Sequence, residues 1–227
     1  MNYNYILKKL KSLSNPKAVA GMARFGINPD NTYGVSIPNL RRMAKQIGKE
    51  HTLARQLWSS GIHEAKILAG MIDVPAIVRE KQMEQWVKEF DSWDVCDQVC
   101  MNLFEDTPFA SKKAVAWSKR KEEFIKRAGF VMMARLAVSD KKADDKQFEK
   151  FLPIIKRGAA DNRNFVKKAV NWALRQIGKR NRRLNKKAIE TAKEIQKIDS
   201  KSARWIAADA LKELTNKAVQ KKISAAK

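Results

Sequence analysis

The sequence predicts an all-α protein, a single curved α-solenoid of stacked antiparallel helix pairs. Apolar residues recur at three- and four-residue spacing almost throughout, which is the period of a helix face. Strand-like alternation is scarce. Turn signals interrupt the pattern often enough to leave helices of about 10 to 18 residues with short connections, as paired repeat helices require. A simple all-α bundle is the competing arrangement, because no repeat stands out in the letters themselves.

The elements follow in order. The opening MNYNYILKKLKSLSNPK mixes lysines with apolar residues at helical spacing. It reads as an amphipathic helix and lacks the unbroken apolar core of a signal peptide. Asn15-Pro16 stops it, and GINPDNTYG at 26–34 is a loop. Ile37, Leu40, Met43 (with Ala44) and Ile47 then mark one helix face. Gly61 and Pro75 punctuate the next stretch. Ser92 caps a helix whose apolar face is Val95, Cys96, Val99, Cys100 and Leu103, and Thr107-Pro108 ends it. FIKRAGFVMMARLAV, 124–138, is apolar nearly all round, as central helices are. Pro153 reads as a further break. NFVKKAVNWALRQIGK, 164–179, buries Val166, Ala169, Val170, Ala173 and Ile177, and Ser200 starts another helix. No Gly/Ser linker divides the chain, so residues 1–227 are expected to form a single domain with a lysine-rich C-terminal segment from about residue 215.

Composition narrows the function. No run approaches the roughly 18 apolar residues of a membrane helix, so no membrane partner is expected. Cys96 and Cys100, one helical turn apart, read as small buried apolar residues. With His51 and His63 the only histidines, no metal-ligand spacing exists. Forty-seven Lys and Arg against 24 Asp and Glu give a net charge of +23. Residues 156–187 alone hold 12 Lys or Arg and one acid, Asp161. Charge spread for solubility would not concentrate in this way, which favours a nucleic-acid partner whose counterions are released on binding.

Three helices hold side chains that packing explains incompletely. In DSWDVCDQVC, 91–100, Ser92 and Asp94 suit a helix start, where the dipole favours acids. Asp97 lies about 120° from the apolar centre with Trp93 on the same edge. A half-buried tryptophan beside a solvated aspartate accounts for the pair at least as well as a reaction centre does. Arg127 projects into the stripe of Val131, Ala134 and Val138, where it must snorkel, pair with a carboxylate or meet a phosphate. Trp172 falls about 110° from its helix's apolar centre, beside Lys168, Arg175 and Lys179. It suits either a helix seam or a nucleic-acid edge, where cations fix phosphates and a flat ring meets sugar or base.

Gly-rich phosphate loops, metal clusters and nucleophile elbows are missing, so chemistry would run on carboxylates, arginines and aromatics. Glycosidic cleavage is a reaction those groups can support, since carboxylates and aromatic faces both stabilise an oxocarbenium-like cation.

YGVSIPNLRRMAKQI (33–47), SWDVCDQV (92–99), FIKRAGFVMM (124–133) and NFVKKAVNWALRQIGK (164–179) stand in this order. In them the chain resembles the AlkD-like DNA alkylation-repair glycosylases, which are built from HEAT-like repeats. The likeness thins after about residue 185. It implies a catalytic carboxylate at Asp97, aromatic contacts to the lesion-bearing nucleotide at Trp93 and Trp172, and an active-site arginine at Arg127. It further implies excision of cationic alkylated purines such as N3-methyladenine and N7-methylguanine from duplex DNA, without flipping the base into a pocket. Neither metal nor cofactor is expected. Lys168, Arg175, Lys179 and Arg180 are the expected phosphate contacts, in a cytoplasmic, nucleoid-associated monomer. A non-enzymatic repeat module binding DNA or RNA is the rival expectation.

Overall fold

The computed structural model describes residues 1–225, and among them there are helices and turns but no strand. Residues 1–109 and 110–227 form two compact units, whose boundary falls beside the turn at Thr107-Pro108.

The first unit holds α1 (Tyr3–Ser12), α2 (Pro16–Arg24), α3 (Ile37–Ile47), α4 (His51–Ser59), α5 (His63–Ile72), α6 (Glu80–Lys88) and α7 (Trp93–Asn102), with short 3-10 turns after α5 and α7. Its starts follow the sequence signals. Asn15 caps α2 by accepting from Ala18 N at 3.1 Å, with Pro16 at the first helical position. Contacts recur 31 residues apart. Tyr33 meets Glu64, Trp58 meets Glu89, and His63 meets Asp94. In this core Trp58 of α4 stacks on Trp86 of α6 at 4.0 Å and 2° between planes, with Phe90 and Phe104 tilted against them.

The second unit holds α8 (Ala110–Trp117), α9 (Glu123–Ser139), α10 (Asp145–Gly158), α11 (Asn164–Gly178), α12 (Arg182–Gln196), α13 (Lys201–Leu214) and α14 (Lys217–Ala225). Here the repeat is longer. Bonds link Glu149 to Lys187 and Lys156 to Glu194, each pair 38 residues apart, so α10 and α12 run parallel. Asn171–Asp209 and Arg175–Glu213, also 38 apart, make α11 and α13 parallel in the same way. Each helix therefore packs beside its counterpart in the next repeat, the stacking that a helical-repeat fold predicts.

Two glycines are required by close approach. In the first unit Gly34 sits at φ +76°, and a Cβ there would come 2.4 Å from Asn15 O. In the second, a Cβ on Gly129 of α9 would meet Ser118 N at 2.3 Å.

Pro153 corrects the expectation of a break, because it lies inside α10. The helix continues through it since Phe148, Phe151, Leu152 and Ile155 are buried on one side while Pro153 faces solvent. That apolar face outweighs the ~3 kcal/mol cost of an internal proline.

Candidate active site and nucleic-acid interface

Asp97 and Trp93 lie in the first unit. Asp97 sits one turn into α7 and is only 9% exposed, so the solvated-acid reading of this position does not hold. Cys96 and Cys100 are buried free thiols in the core, as expected. Trp93, the first residue of α7, is half-buried, and its Nε1 donates to Phe25 O at 3.2 Å. Trp93 and Asp97 therefore lie one turn apart, on an edge with the ring pinned and the acid partly withdrawn from water.

The α7 start is built differently from the helix cap expected. Ser92 occupies the N-cap position, but its hydroxyl makes no cap bond. Instead Ser92 Oγ accepts from Asn28 N at 2.9 Å, and Asn28 Nδ2 donates to Asp91 Oδ2 at 2.9 Å. The 26–34 loop thus holds the beginning of α7. The loop is held in turn by Glu64, 1% exposed, whose carboxylate accepts from Tyr33 N, Gly34 N and Val35 N at 2.6 to 3.1 Å. Asp94, which the sequence placed as a dipole-favoured first-turn acid, also bonds His63 Nε2 at 2.8 Å. Burial works against a charge on His63. The Asp94 bond and the nearby Asp94, Glu64 and Asp91 charges outweigh it and raise the imidazole above its usual range.

Arg127 and Trp172 lie in the second unit. Arg127 does not snorkel. It is 5% exposed on α9, and its Nη1 donates to Phe165 O at 2.6 Å in the first turn of α11. Next to it, Lys126 Nζ and Arg163 Nη2 donate to Asp161 at 2.8 and 2.6 Å. Burial disfavours the Asp161 charge, but these bonds win and hold its carboxyl well below the usual range. This brace ties α9 to the segment entering α11 and fixes the stretch that carries Arg127.

Trp172 is half-buried on α11, and its Nε1 faces the Gln176 side-chain amide at 3.0 Å, donating to the oxygen once that amide is turned to suit its neighbours. Of the four expected phosphate contacts, Lys168 is exposed on the same helix. Arg175 Nη1 bonds Glu213, and Lys179 Nζ reaches Glu213 Oε1 at 2.6 Å. Burial would raise the Glu213 carboxyl, but Lys179 and Arg175 lower it on balance. Arg180 has a packing task. It donates to Ala137 O and Ala143 O at 3.2 and 3.1 Å, and its guanidinium lies 4.3 Å over the Phe148 ring. A basic cleft of about 700 Å³ follows, lined by Lys141, Lys179, Arg180 and Lys222 with Asp145 the single acid.

Sequence reasoning missed four participants: Glu64, the Asn28–Ser92 bond, the His63–Asp94 pair and Trp205 of α13. The last is 41% exposed beneath Lys167 Nζ at 4.9 Å from the ring centroid. Only Trp205 left a trace in the sequence, at a helix position opposite Ile206, Ala207 and Ala210. Among the described residues no group of three or more His, Cys, Asp and Glu stands together as a metal site would. None of their helices is long and apolar enough to cross a membrane.

Helices that pack parallel to their counterparts 38 residues further on define a helical-repeat protein. The chain belongs to the DNA alkylation repair enzyme family, whose model matches residues 6–214. That match runs past residue 185, where the visible likeness thins, and stops short of α14. The fold is similar to a solved structure from a family described as related to the HEAT-like repeat DNA glycosylases with affinity for branched DNA structures. The TM-score is 0.78 at 20% identity, covering 92% of this chain and 94% of that one. A designed armadillo repeat protein in complex with a (KR)4 peptide aligns at TM-score 0.37 and 15% identity, covering 82% of this chain and 89% of that one. No curated protein matches the sequence.

Proposed function

We propose that the protein is a DNA glycosylase that removes positively charged alkylated purines, such as N3-methyladenine and N7-methylguanine, from duplex DNA. The observation that carries this reading is the buried carboxylate of Asp97, one turn from the pinned ring of Trp93, in a chain of the alkylation-repair family. Alkylation at a ring nitrogen makes the base cationic. When the C1′–N bond breaks, the bonding pair returns to that nitrogen and the base leaves neutral. The developing positive charge then resides on the deoxyribose, where a carboxylate in a low-dielectric setting stabilises it more than it would in water. Water bonds C1′ and loses a proton, which the Asp97 carboxylate can accept.

Trp93 and Trp172 would lie against the sugar, where aromatic faces add to cation stabilisation. Arg127 would contribute its guanidinium to a phosphate or to positioning the acid. Lys168 is the phosphate contact with fewest structural ties, Arg175 and Lys179 serve after exchanging Glu213 for DNA, and Arg180 acts mainly through packing. The working form is a nucleoid-associated monomer.

The test is base release from duplex DNA carrying N7-methylguanine, with wild type and Asp97→Asn. The wild type should release the base, and the variant should be slower by at least about 100-fold, the scale of losing a principal electrostatic stabiliser. DNA binding with no release by the wild type would sink the enzymatic reading. A second reading, a non-enzymatic DNA-binding module, would then stand. It is favoured by the fold's likeness to a protein described by its affinity for branched DNA.

A further inference from the structure

We infer that Trp205 and the cations around it form a stacking platform for an unpaired nucleobase of DNA, next to the α11 face. The inference rests on the reading that this chain binds DNA. It adds a class of substrate feature, unpaired nucleotides, and a site that neither the family match nor the sequence motifs assign.

Among the described residues Trp205 is the one large apolar side chain exposed in the second unit, at 41%. A single partly exposed tryptophan is ordinary by itself; what distinguishes Trp205 is the charge around it. Its surroundings are cationic. On α13, Lys201, Arg204, Trp205, Ala208 and Lys212 are all exposed, and their spacing puts them along one side of the helix. The side opposite is core, formed by Ala203, Ile206, Ala207, Ala210 and Leu214.

The repeat register fixes what lies beside this stripe. Because α11 and α13 run parallel with contacts 38 residues apart, Lys167 places its Nζ 4.9 Å from the Trp205 ring centroid. Lys168, the exposed phosphate candidate, is the next residue on α11. Further along, Asp209 and Glu213 turn toward α11, where Asn171, Arg175 and Lys179 engage them. The carboxylates of α13 are thus occupied at its C-terminal half, while its N-terminal half presents a flat ring within a field of Lys167, Lys168, Lys201 and Arg204. Arg204 is 55% exposed, and its Asp199 partner is fully exposed, so that ion pair is easily exchanged.

An exposed ring among cations is the arrangement that binds single-stranded nucleic acid without sequence preference; here Lys167 Nζ lies over the ring face, so the arriving base takes the ring as that ammonium moves to the phosphate. The base stacks on the aromatic face while its phosphate meets the ammonium groups. A base-paired nucleotide cannot supply an open face, so the platform selects unpaired positions such as a gap, an overhang or a branch. An acidic protein would satisfy the cations, but it would leave the ring without a planar partner.

The experiment measures binding of the full chain to three DNAs. These are a blunt duplex, the same duplex with an overhang of about eight thymidines, and the free thymidine strand. Wild type, Trp205→Ala and Trp205→Phe are compared by fluorescence anisotropy at fixed salt. Trp205→Ala should lose about 5- to 100-fold on the overhang and the free strand, and much less on the blunt duplex. Trp205→Phe, which keeps a ring, should recover most of the loss and shows that the site still folds. Equal affinity of wild type and Trp205→Ala on all three DNAs overturns the platform, as does an equal loss on all three. If light scattering shows a wild-type dimer that Trp205→Ala abolishes, the ring is a self-association contact and the proposal falls. A wild type that binds none of the DNAs instead overturns the DNA-binding reading itself.

Discussion

Glu64 offers the sharpest test of how the candidate carboxylate is held in place. Its side chain is 1% exposed and accepts three backbone N–H groups, from Tyr33, Gly34 and Val35. Oε1 takes all three, and Oε2 takes Tyr33 a second time. Glu64→Gln can keep an oxygen at the first position, so the donors stay satisfied but lose a charged acceptor. At about 1 kcal/mol for each bond turned from charge-assisted to neutral, the loss is about 3 kcal/mol. Glu64→Ala leaves the buried Gly34 and Val35 donors without an acceptor and opens a cavity, for about 4 to 6 kcal/mol. Urea unfolding followed by far-UV circular dichroism reads both, and a 3 kcal/mol loss moves the midpoint by about 1 to 2 M. The loop that Glu64 anchors also holds Ser92 through Asn28, so base release should fall in both variants before unfolding begins. Midpoints within about 0.3 M of wild type for both substitutions would refute the clamp.

The remaining predictions concern pH, packing and salt. The raised His63 pKa means that its pair with Asp94 contributes fully below the ordinary imidazole value and is lost as pH rises through the higher folded value. His63→Gln should therefore lower the melting temperature more at about pH 5.5 than at about pH 8.5, and an equal shift at both would contradict the pairing. Gly129→Ala would drive a Cβ to 2.3 Å from Ser118 N and 2.8 Å from its Cα, both backbone atoms that cannot swing aside. It should cost about 1 to 3 kcal/mol or more in thermal unfolding, and an unchanged melt would show that α8 and α9 yield. Glu213→Gln removes the carboxylate shared by Arg175 and Lys179. Duplex binding should strengthen at low salt and the log–log salt slope should steepen by up to about 2, whereas an unaltered slope would exclude both cations from phosphate contact.

Helix positions were legible because burial imposes a period on the sequence. The stretches 124–138 and 164–179 match α9 (Glu123–Ser139) and α11 (Asn164–Gly178) to within a residue at either end. Asp97, Trp93, Arg127 and Trp172 were visible as departures from that period. What stayed hidden depends on pairs far apart in the chain. The partner of His63, Asp94, lies 31 residues away, and Glu64 gains its role only from three amides of the preceding loop, so no local pattern marks either residue. Ser92 carried a cap's identity but not its bond, because Asn28 N reached the hydroxyl first. Pro153 misled for a related reason, since a helix interior tolerates proline when the face beneath it is well buried. The repeat was invisible as well. Its register is kept by partners such as Lys187 with Glu149 and Asn171 with Asp209, which need only be complementary and not alike.

This last point changes what the charge of +23 means. Several acids of the second unit are spent between neighbouring repeats. Glu149 takes Arg183 and Lys187, Glu194 takes Lys156, Asp161 takes Lys126 and Arg163, and Glu213 takes Arg175 and Lys179. Exposed pairs add little stability, so their joint effect lies more in deciding which cations remain for a polyanion. Lys168 and Lys201 stay exposed, whereas Arg175 and Lys179 must first give up Glu213. A phosphate that displaces Glu213 exchanges one anion for another, so those two cations contribute less to affinity than their charge suggests. The net positive face is therefore a residue of the stacking pattern. Its strongest part falls on the N-terminal halves of α11 and α13, where Asp161 and Asp199 take Arg163 and Arg204 and leave Lys168 and Lys201 exposed.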